Sequence, residues 1–297
     1  MAIRQCTVSL LVETKYLQAE AQIDQAIVFI SHLESPEIFS HFRRLKDESK
    51  FLLDSYFCLH RPSGHQHLKD SNADFQVSAL DEERCLPRRY ADKIRNGGTI
   101  IPGFTDLTYM PILLGEKLQK YSFIWVMEYD VDFAGSWHLL FSQLSDSRAD
   151  LMGTSFYPRA DCLDWVWWKS LKTPSSVLAT DFFRSFLPIA RFSRNMIYNF
   201  AEAVEGEQWS GHTEALYPTI AKHNNLSIED LGGTGPFTPT LLRGKNYFNT
   251  SSQDGHLKPG SFAPSPGTHS FYFQQSPKEF SMLGYLYHPV KVEGRPV

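Results

Sequence analysis

No stretch of the 297-residue chain reaches about 18 consecutive apolar residues, so none reads as a membrane-spanning helix. Its N-terminus lacks a cationic segment followed by a long apolar one, the mark of a secretory signal. Basic charge is not in excess: 29 Lys and Arg stand against 33 Asp and Glu, a formal net charge of -4. That argues against a nucleic-acid binder, which needs many cations to neutralise phosphates, but leaves room for a local basic pocket. The four cysteines, Cys6, Cys58, Cys85 and Cys162, are widely spaced with no CxxC pair. Buried thiols in a reducing compartment are expected, hence a cytoplasmic location, with peripheral membrane contact left open. Also missing are GxxxxGK[ST], a GxGxxG after the first strand, a GxSxG elbow and an HExxH helix, which removes the P-loop, dinucleotide, α/β-hydrolase and zincin readings.

What is abundant is aromatic: 22 Phe, 13 Tyr and 6 Trp make up 14% of the chain. Apolar residues are 42% and charged residues 21%, ordinary globular usage with enough material for a large core. Residues 24–33 hold a buried-strand pattern, and Ser35-Pro36-Glu37 reads as a helix start. A second strand is expected at 51–59 and another at 75–80. Thr108 to Lys120 reads as a helix, and Phe123 to Met127 as a continuous apolar run of the kind buried in a central parallel sheet. Ser136 can cap the helix WHLLFSQL, and 149–154 reads as a short strand. The longest expected helical region is 177–204, with Pro188 as a kink or break, followed by a helix over Thr213 to His223. Residues 231–268, rich in Gly, Pro and Ser, are expected to be irregular. Strand–helix–strand order suggests an α/β layer architecture in a single domain spanning 1–297.

The sharpest local feature is Glu128-Tyr129-Asp130-Val131-Asp132, directly after the apolar run. In extended geometry the three carboxylates share a face, where they repel unless a cation binds, a proton is shared or the chain bends. Hard divalent ions take such oxygen ligands. The carboxyl end of a strand is also where open α/β sheets bind ligands. The alternative is an acidic turn at a solvated strand end.

The stretch FIWVMEYDVDFAGSW, followed by ADLMGT, resembles the acidic-motif region of GT-A type glycosyltransferases, in particular bacterial and fungal families with a W..EYDV motif. The first strand, ending at Ser31-His32 before a helix, is similar to the nucleotide-binding start of that fold. The resemblance implies a Rossmann-like nucleotide-diphospho-sugar transferase fold with a mostly parallel central sheet. Residues 24–160 would form the nucleotide-sugar binding part and 161–297 the acceptor side. It further implies Mn²⁺ or Mg²⁺ bridging the donor diphosphate and the motif, with Asp130 and Asp132 as ligands and Glu128 near the donor ribose. The three alternating carboxylates leave open which pair touches the metal. His288, in YLYHPVK, resembles the C-terminal histidine that completes such metal sites, and otherwise reads as a strand-end histidine bonded to backbone.

Glu214 resembles the carboxylate such folds place at a helix start below the acceptor, the general base of an inverting reaction. Its plain alternative is a favourable charge in a first helical turn, with Glu202, Glu205 and Glu207 as rivals for the base. His212 either positions substrate or caps the turn. Arg191 and Arg194 can share a helix face and hold diphosphate oxygens, or form a solvated stripe; Arg88-Arg89 has the same two readings, as does Lys291 near the C-terminus. Trp165, Trp167 and Trp168 offer flat faces for an acceptor sugar, or pack in the core.

These readings converge on a glycosyltransferase moving a sugar from a nucleotide-sugar donor to a glycan or lipid-linked acceptor. The alternatives are a metal-dependent phosphoryl-transfer or phosphodiester-hydrolysing enzyme, and a carbohydrate-binding protein without catalysis.

Overall fold

The computed structural model describes residues 23–61, 66–78, 112–206, 209–248, 260–263, 271–272, 280 and 282–291. The elements follow in chain order as β1 (Gln25–Ser31), α1 (Pro36–Ser49), β2 (Asp54–Arg61), β3 (Phe75–Ser78), β4 (Phe123–Glu128), β5 (Asp132–Phe133), α2 (Trp137–Leu144), β6 (Leu151–Pro158), β7 (Phe183–Ser193), α3 (Arg194–Gly206), α4 (Thr213–His223), β8 (Ile228–Asp230), β9 (Phe271–Tyr272), β10 (Leu286–Tyr287) and β11 (Val290–Lys291).

Seven strands form one sheet in the order β3-β2-β1-β4-β7-β6-β8. Only β7 runs against its neighbours β4 and β6; the other pairings are parallel. The α/β fold with a mostly parallel central sheet expected from the sequence is the one observed. Strand order reverses around β1, with β2 on one side and β4 on the other. The carboxyl ends of β1 and β4 therefore flank a topological switch point, the usual ligand crevice of such sheets.

Side-chain alternation divides the core between two faces. Ala26, Val28 and Ile30 of β1, with Ile124 and Val126 of β4, pack with Met196, Phe200, Tyr217 and Ile220 of α3 and α4. The intervening Ile27, Phe29, Trp125 and Met127 pack with Ile38, Phe42 and Leu45 of α1 and Trp137 and Phe141 of α2. Much of the aromatic surplus is consumed here: Trp125 meets Phe141 edge-on at 5.2 Å, and Phe200 stacks on Tyr217 at 3.9 Å. At the start of α1, Ser35 Oγ accepts from Ile38 N at 3.4 Å ahead of Pro36, a preorganised first turn. Ser136 sits at the N-cap of α2 but makes no side-chain cap bond. Trp137 N instead donates to Glu48 Oε2 at 2.8 Å, so the carboxylate at the end of α1 neutralises the start of α2 and ties the two helices together.

One helical expectation is overturned. Residues 183–193, placed in a helix over 177–204, form the long strand β7. Nearly every residue of β7 is buried, so its apolar content reflects burial on both faces, which mimics helical spacing. Pro188 lies just past the last β4 pairing, Met127 with Ile189, where β6–β7 register also shifts; its missing N–H thus falls at an irregularity of the ladder. Of the helix expected over Thr108–Lys120, residues 108–111 fall outside the described residues, 112–113 are helical, and Glu116–Leu118 is a 3-10 turn. Cys58 and Cys162 are buried free thiols, while Cys6 and Cys85 fall outside the described residues. Among the described residues no helix is long and apolar enough to cross a membrane.

Candidate functional site

The site is built where β4 stops. Tyr129 N donates to Ile30 O at 2.9 Å, the last bond of the β1–β4 ladder, and Val131 N then closes back on Glu128 O at 3.1 Å, so the chain turns at Tyr129 and Asp130 instead of continuing extended. After the turn, β5 pairs antiparallel with β10, Phe133 opposite Leu286 and Asp132 opposite Tyr287. Val290 N donates to Asp130 O at 2.7 Å. The C-terminal segment is thereby laid across the carboxyl end of β4. Residues 261–263 brace it from the other side: His288 N donates to Ser261 O and Ala263 N to His288 O, both at 2.9 Å.

This pairing delivers two cationic side chains to the acidic motif. His288 Nδ1 donates to Ala263 O at 2.6 Å, which leaves Nε2 directed at the carboxylates, 3.5 Å from Glu128 Oε2 and 3.6 Å from Asp130 Oδ1. The Phe186 and Phe262 rings hold the imidazole from the sides, at 5.3 and 5.4 Å. Lys291 forms an ion pair with Asp130 Oδ2. Burial pushes the Glu128 carboxyl above its usual range, with the His288 hydrogen bond pulling partly back. Burial also works against charge on His288, but the Asp130 and Glu128 carboxylates outweigh it and raise its pKa. Lys291 is likewise opposed by burial and held charged above the usual lysine value by Asp130.

The donor set of Glu128, Asp130 and His288 fits a divalent cation. One ligand atom from each lies within 4.8 Å of the others. Among the described residues Asp130 Oδ1 is buried with no hydrogen-bond partner, an acceptor that ordinarily demands one. Two carboxylates and an imidazole suit Mn²⁺ and related ions.

Asp132 is not brought into this cluster. It is ion-paired with Arg44 of α1, and its Oδ1 accepts from Phe133 N at 2.6 Å. The turn at Tyr129 and Asp130 separates what an extended strand would have aligned. Ser31 and His32 do reach the same end of the sheet. Ser31 Oγ is bonded to Leu33 N and O, each at 2.9 Å, while exposed His32 meets the Tyr129 ring edge-on at 5.1 Å.

Arg191 does not reach it. It is fully buried in β7, opposite Trp125. Its guanidinium donates to Ser147 O at 2.9 Å and Ala149 O at 3.3 Å, at the amino end of β6, and lies 4.4 Å from the Phe123 ring. Burial brings its pKa down to about 10. Arg194 donates to the carbonyls of Tyr121, Leu113 and Leu118 and is equally structural. A strand, not a helix, carries Arg191, so the shared helix face with Arg194 does not exist.

Glu214 lies in the first turn of α4, and His212 is the N-cap, accepting from Glu214 N at 3.4 Å. His212 Nδ1 is also 3.7 Å from Glu214 Oε2. Ser185 Oγ donates to Glu214 O at 3.0 Å, and the next residue, Phe186, packs on His288. The helix start therefore shares the carboxyl edge of the sheet with the acidic cluster. Trp167 stacks on His212 at 4.4 Å. Trp165 meets Trp168 edge-on at 4.9 Å, and Trp168 Nε1 donates to Cys162 O at 2.7 Å. The short 3-10 turn Val166–Ser170, not a strand, thus sends Trp168 into a small core and Trp167 toward α4. Of the rival acids, Glu202 is exposed on α3; the side chains of Glu205 and Glu207, and Arg88-Arg89, fall outside the described residues.

Sequence reasoning undervalued Lys291 and missed Arg44 and Tyr129. Lys291 carried a signal, since it sits between Val290 and Val292 in an apolar stretch, unusual company for a solvated lysine. Arg44 carried none, because its pairing with Asp132 joins residues far apart in the chain.

No family model matches the chain, and no curated protein matches its sequence. Among solved structures, the mannosyltransferase Ktr4p from S. cerevisiae is similar at 12% identity, with 77% of this chain and 74% of that chain covered and a TM-score of 0.38. The same mannosyltransferase in complex with GDP is similar at 13% identity, with 78% and 74% covered and a TM-score of 0.35. A likeness this loose carries no argument about what the chain does.

Proposed function

We propose that the chain is a metal-assisted glycosyltransferase that takes a sugar from a nucleotide-sugar donor. The observation that carries the reading is the Glu128–Asp130–His288 cluster, with Asp130 and His288 buried and Glu128 half-buried, at the carboxyl end of β4 beside the switch point at β1. A divalent cation held by these three residues would supply positive charge to a departing diphosphate. Ser31 and His32, at the end of β1, are assigned to the nucleotide side of the same crevice.

Glu214, fixed by its His212 cap and by Ser185, is the group assigned to take the acceptor hydroxyl proton if the reaction inverts configuration. Trp167 and His212, stacked together beside it, and the half-buried Trp165 are assigned to the acceptor sugar; flat rings suit the apolar face of a pyranose. Trp168 supports this wall from inside.

The reading is tested by thermal shift with UDP-, GDP-, CMP- and dTDP-sugars, with and without Mn²⁺. The expected outcome is a rise in Tm for one nucleotide base that depends on the metal and is lost in Asp130→Ala. No stabilisation by any donor with Mn²⁺ present would overturn it. Mn²⁺-dependent cleavage of simple phosphodiesters, without sugar transfer, would favour a hydrolase instead.

A further inference from the structure

The two oxygens of Asp130 face different cations. Oδ1 lies 3.6 Å from His288 Nε2 and is the orphaned atom of the cluster. Oδ2 is taken by Lys291. The lysine side chain is only 9% exposed. Its Nζ lies 3.5 Å from the Tyr129 hydroxyl and 5.3 Å from the centre of that ring. An ammonium group stripped of water in this way persists because a carboxylate and an aromatic face replace its hydration. The bond from Val290 N to Asp130 O, at 2.7 Å, fixes the adjacent backbone, so the contact is built into the fold and is not a chance excursion of a tail residue.

Resting on the reading of a divalent ion at Glu128, Asp130 and His288, we propose that Lys291 is a resident cation that weakens metal binding to the bare site and makes tight binding conditional on the donor's diphosphate. An ion on Oδ1 and an ammonium on Oδ2 are separated by little more than the width of one carboxylate. Repulsion over that distance is poorly screened in a buried site. With His288 deprotonated to act as a ligand, the two carboxylates carry two negative charges, whereas the ion and Lys291 together carry three positive ones. A diphosphate touching both cations supplies the missing anionic charge. The metal and the diphosphate then strengthen each other's binding, and by linkage they do so by the same factor. The consequence for a transferase is that free metal does not occupy the site without substrate.

The test is calorimetric titration of Mn²⁺ into the full chain, wild type against Lys291→Met and Lys291→Arg, alone and with UDP, GDP, CDP or dTDP in turn. Lys291→Met is expected to bind Mn²⁺ alone roughly tenfold or more tighter than wild type, and Lys291→Arg to stay at the wild-type value. One nucleoside diphosphate is expected to strengthen Mn²⁺ binding to wild type well beyond its effect on Lys291→Met. A merely structural role for the lysine predicts the opposite sign, a weaker site. Unchanged or weaker Mn²⁺ binding in Lys291→Met overturns the inference. Should that variant fail to fold, Lys291→Gln decides on the same criterion. If wild type and variants bind Mn²⁺ equally, only the lysine inference falls. If none binds it, with or without nucleotide, the metal reading falls and takes the inference with it.

Discussion

Asp130 and Asp132 are the same residue type two positions apart, and the structure gives them opposite surroundings. Asp130 turns inward to His288 and Lys291. Asp132 turns toward α1 and Arg44. The acidic triplet itself was legible, because three alternating carboxylates behind an apolar run demand an explanation. The bend between them was not, since it is closed by Val131 N reaching back to Glu128 O and held by the C-terminal segment arriving from far along the chain. The two aspartates are therefore expected to fail differently. Asp132→Asn should lower stability by about 1–3 kcal/mol, the usual cost of weakening a charge-assisted bond in a buried place, while Mn²⁺ binding survives. Asp130→Asn should abolish the Mn²⁺ response. Urea melts and Mn²⁺ titrations on the same two variants check this. A metal response lost in Asp132→Asn and kept in Asp130→Asn would show the ligand assignment to be reversed.

At the scale of elements, helix α1 with its Ser35 cap, helix α2 and the apolar strands β1 and β4 follow from patterns visible in the sequence, although the start of α2 is served by Glu48 and not by the expected Ser136. β7 does not. A strand buried on both faces shows no alternation, and its embedded Arg191 looks like a surface cation until the carbonyls of Ser147 and Ala149 are seen to receive it. Helix α1 also carries a charge-sensitive tie to the site. His41 is buried, and its Nε2 donates to Val131 O at 2.8 Å, directly behind the acidic turn. Burial lowers its pKa from the ordinary 6.5; Asp132 and, more weakly, Asp130 and the Val131 carbonyl pull it up, and Arg44 pushes it down. A histidine with a depressed folded pKa takes its proton more readily when unfolded. Its contribution to stability is thus complete above about pH 6.5 and is lost as pH falls through the interval below it. The slope within that interval reaches about 1.4 kcal/mol per pH unit. His41→Gln keeps an amide donor for Val131 and cannot titrate, so its stability is expected to change less between pH 6.5 and 5 than that of wild type. Denaturant melts across that range measure the difference; parallel curves for the two proteins would show that His41 does not control the slope.

At the scale of the molecule, the candidate site exists only because three distant stretches meet at one end of the sheet. Ser31 and His32 come from the end of β1 and the residue after it, Glu128 and Asp130 from the end of β4 and the turn that follows, and His288 and Lys291 from the last described residues. The C-terminal contribution is held by short pairings and single backbone bonds to several segments, among them the two-residue pairings of β5 with β10 and of β9 with β11, Leu286 N on Asn246 O, the bonds to Ser261 and Ala263, and Val290 N on Asp130 O. Its apolar anchors, Leu286 and Val290, are fully buried, yet the strands themselves are too short to be stable alone. A ligand that engages both Asp130 and His288 closes this junction, and local opening there must first release it. Amide hydrogen exchange should therefore slow at His288 and Val290, and at Tyr129 and Val131 of the facing turn, when Mn²⁺ and the matching nucleotide are added together. The amides of β6 and β8 should be indifferent, because β7 separates their ladders from β4 and the acidic turn. Protection spread evenly over the sheet would mean only that the ligand stabilises the whole fold. Protection confined to the turn at Tyr129 and Asp130, with the C-terminal amides unchanged, would mean that His288 is no ligand and that the carboxylates hold the ion without it.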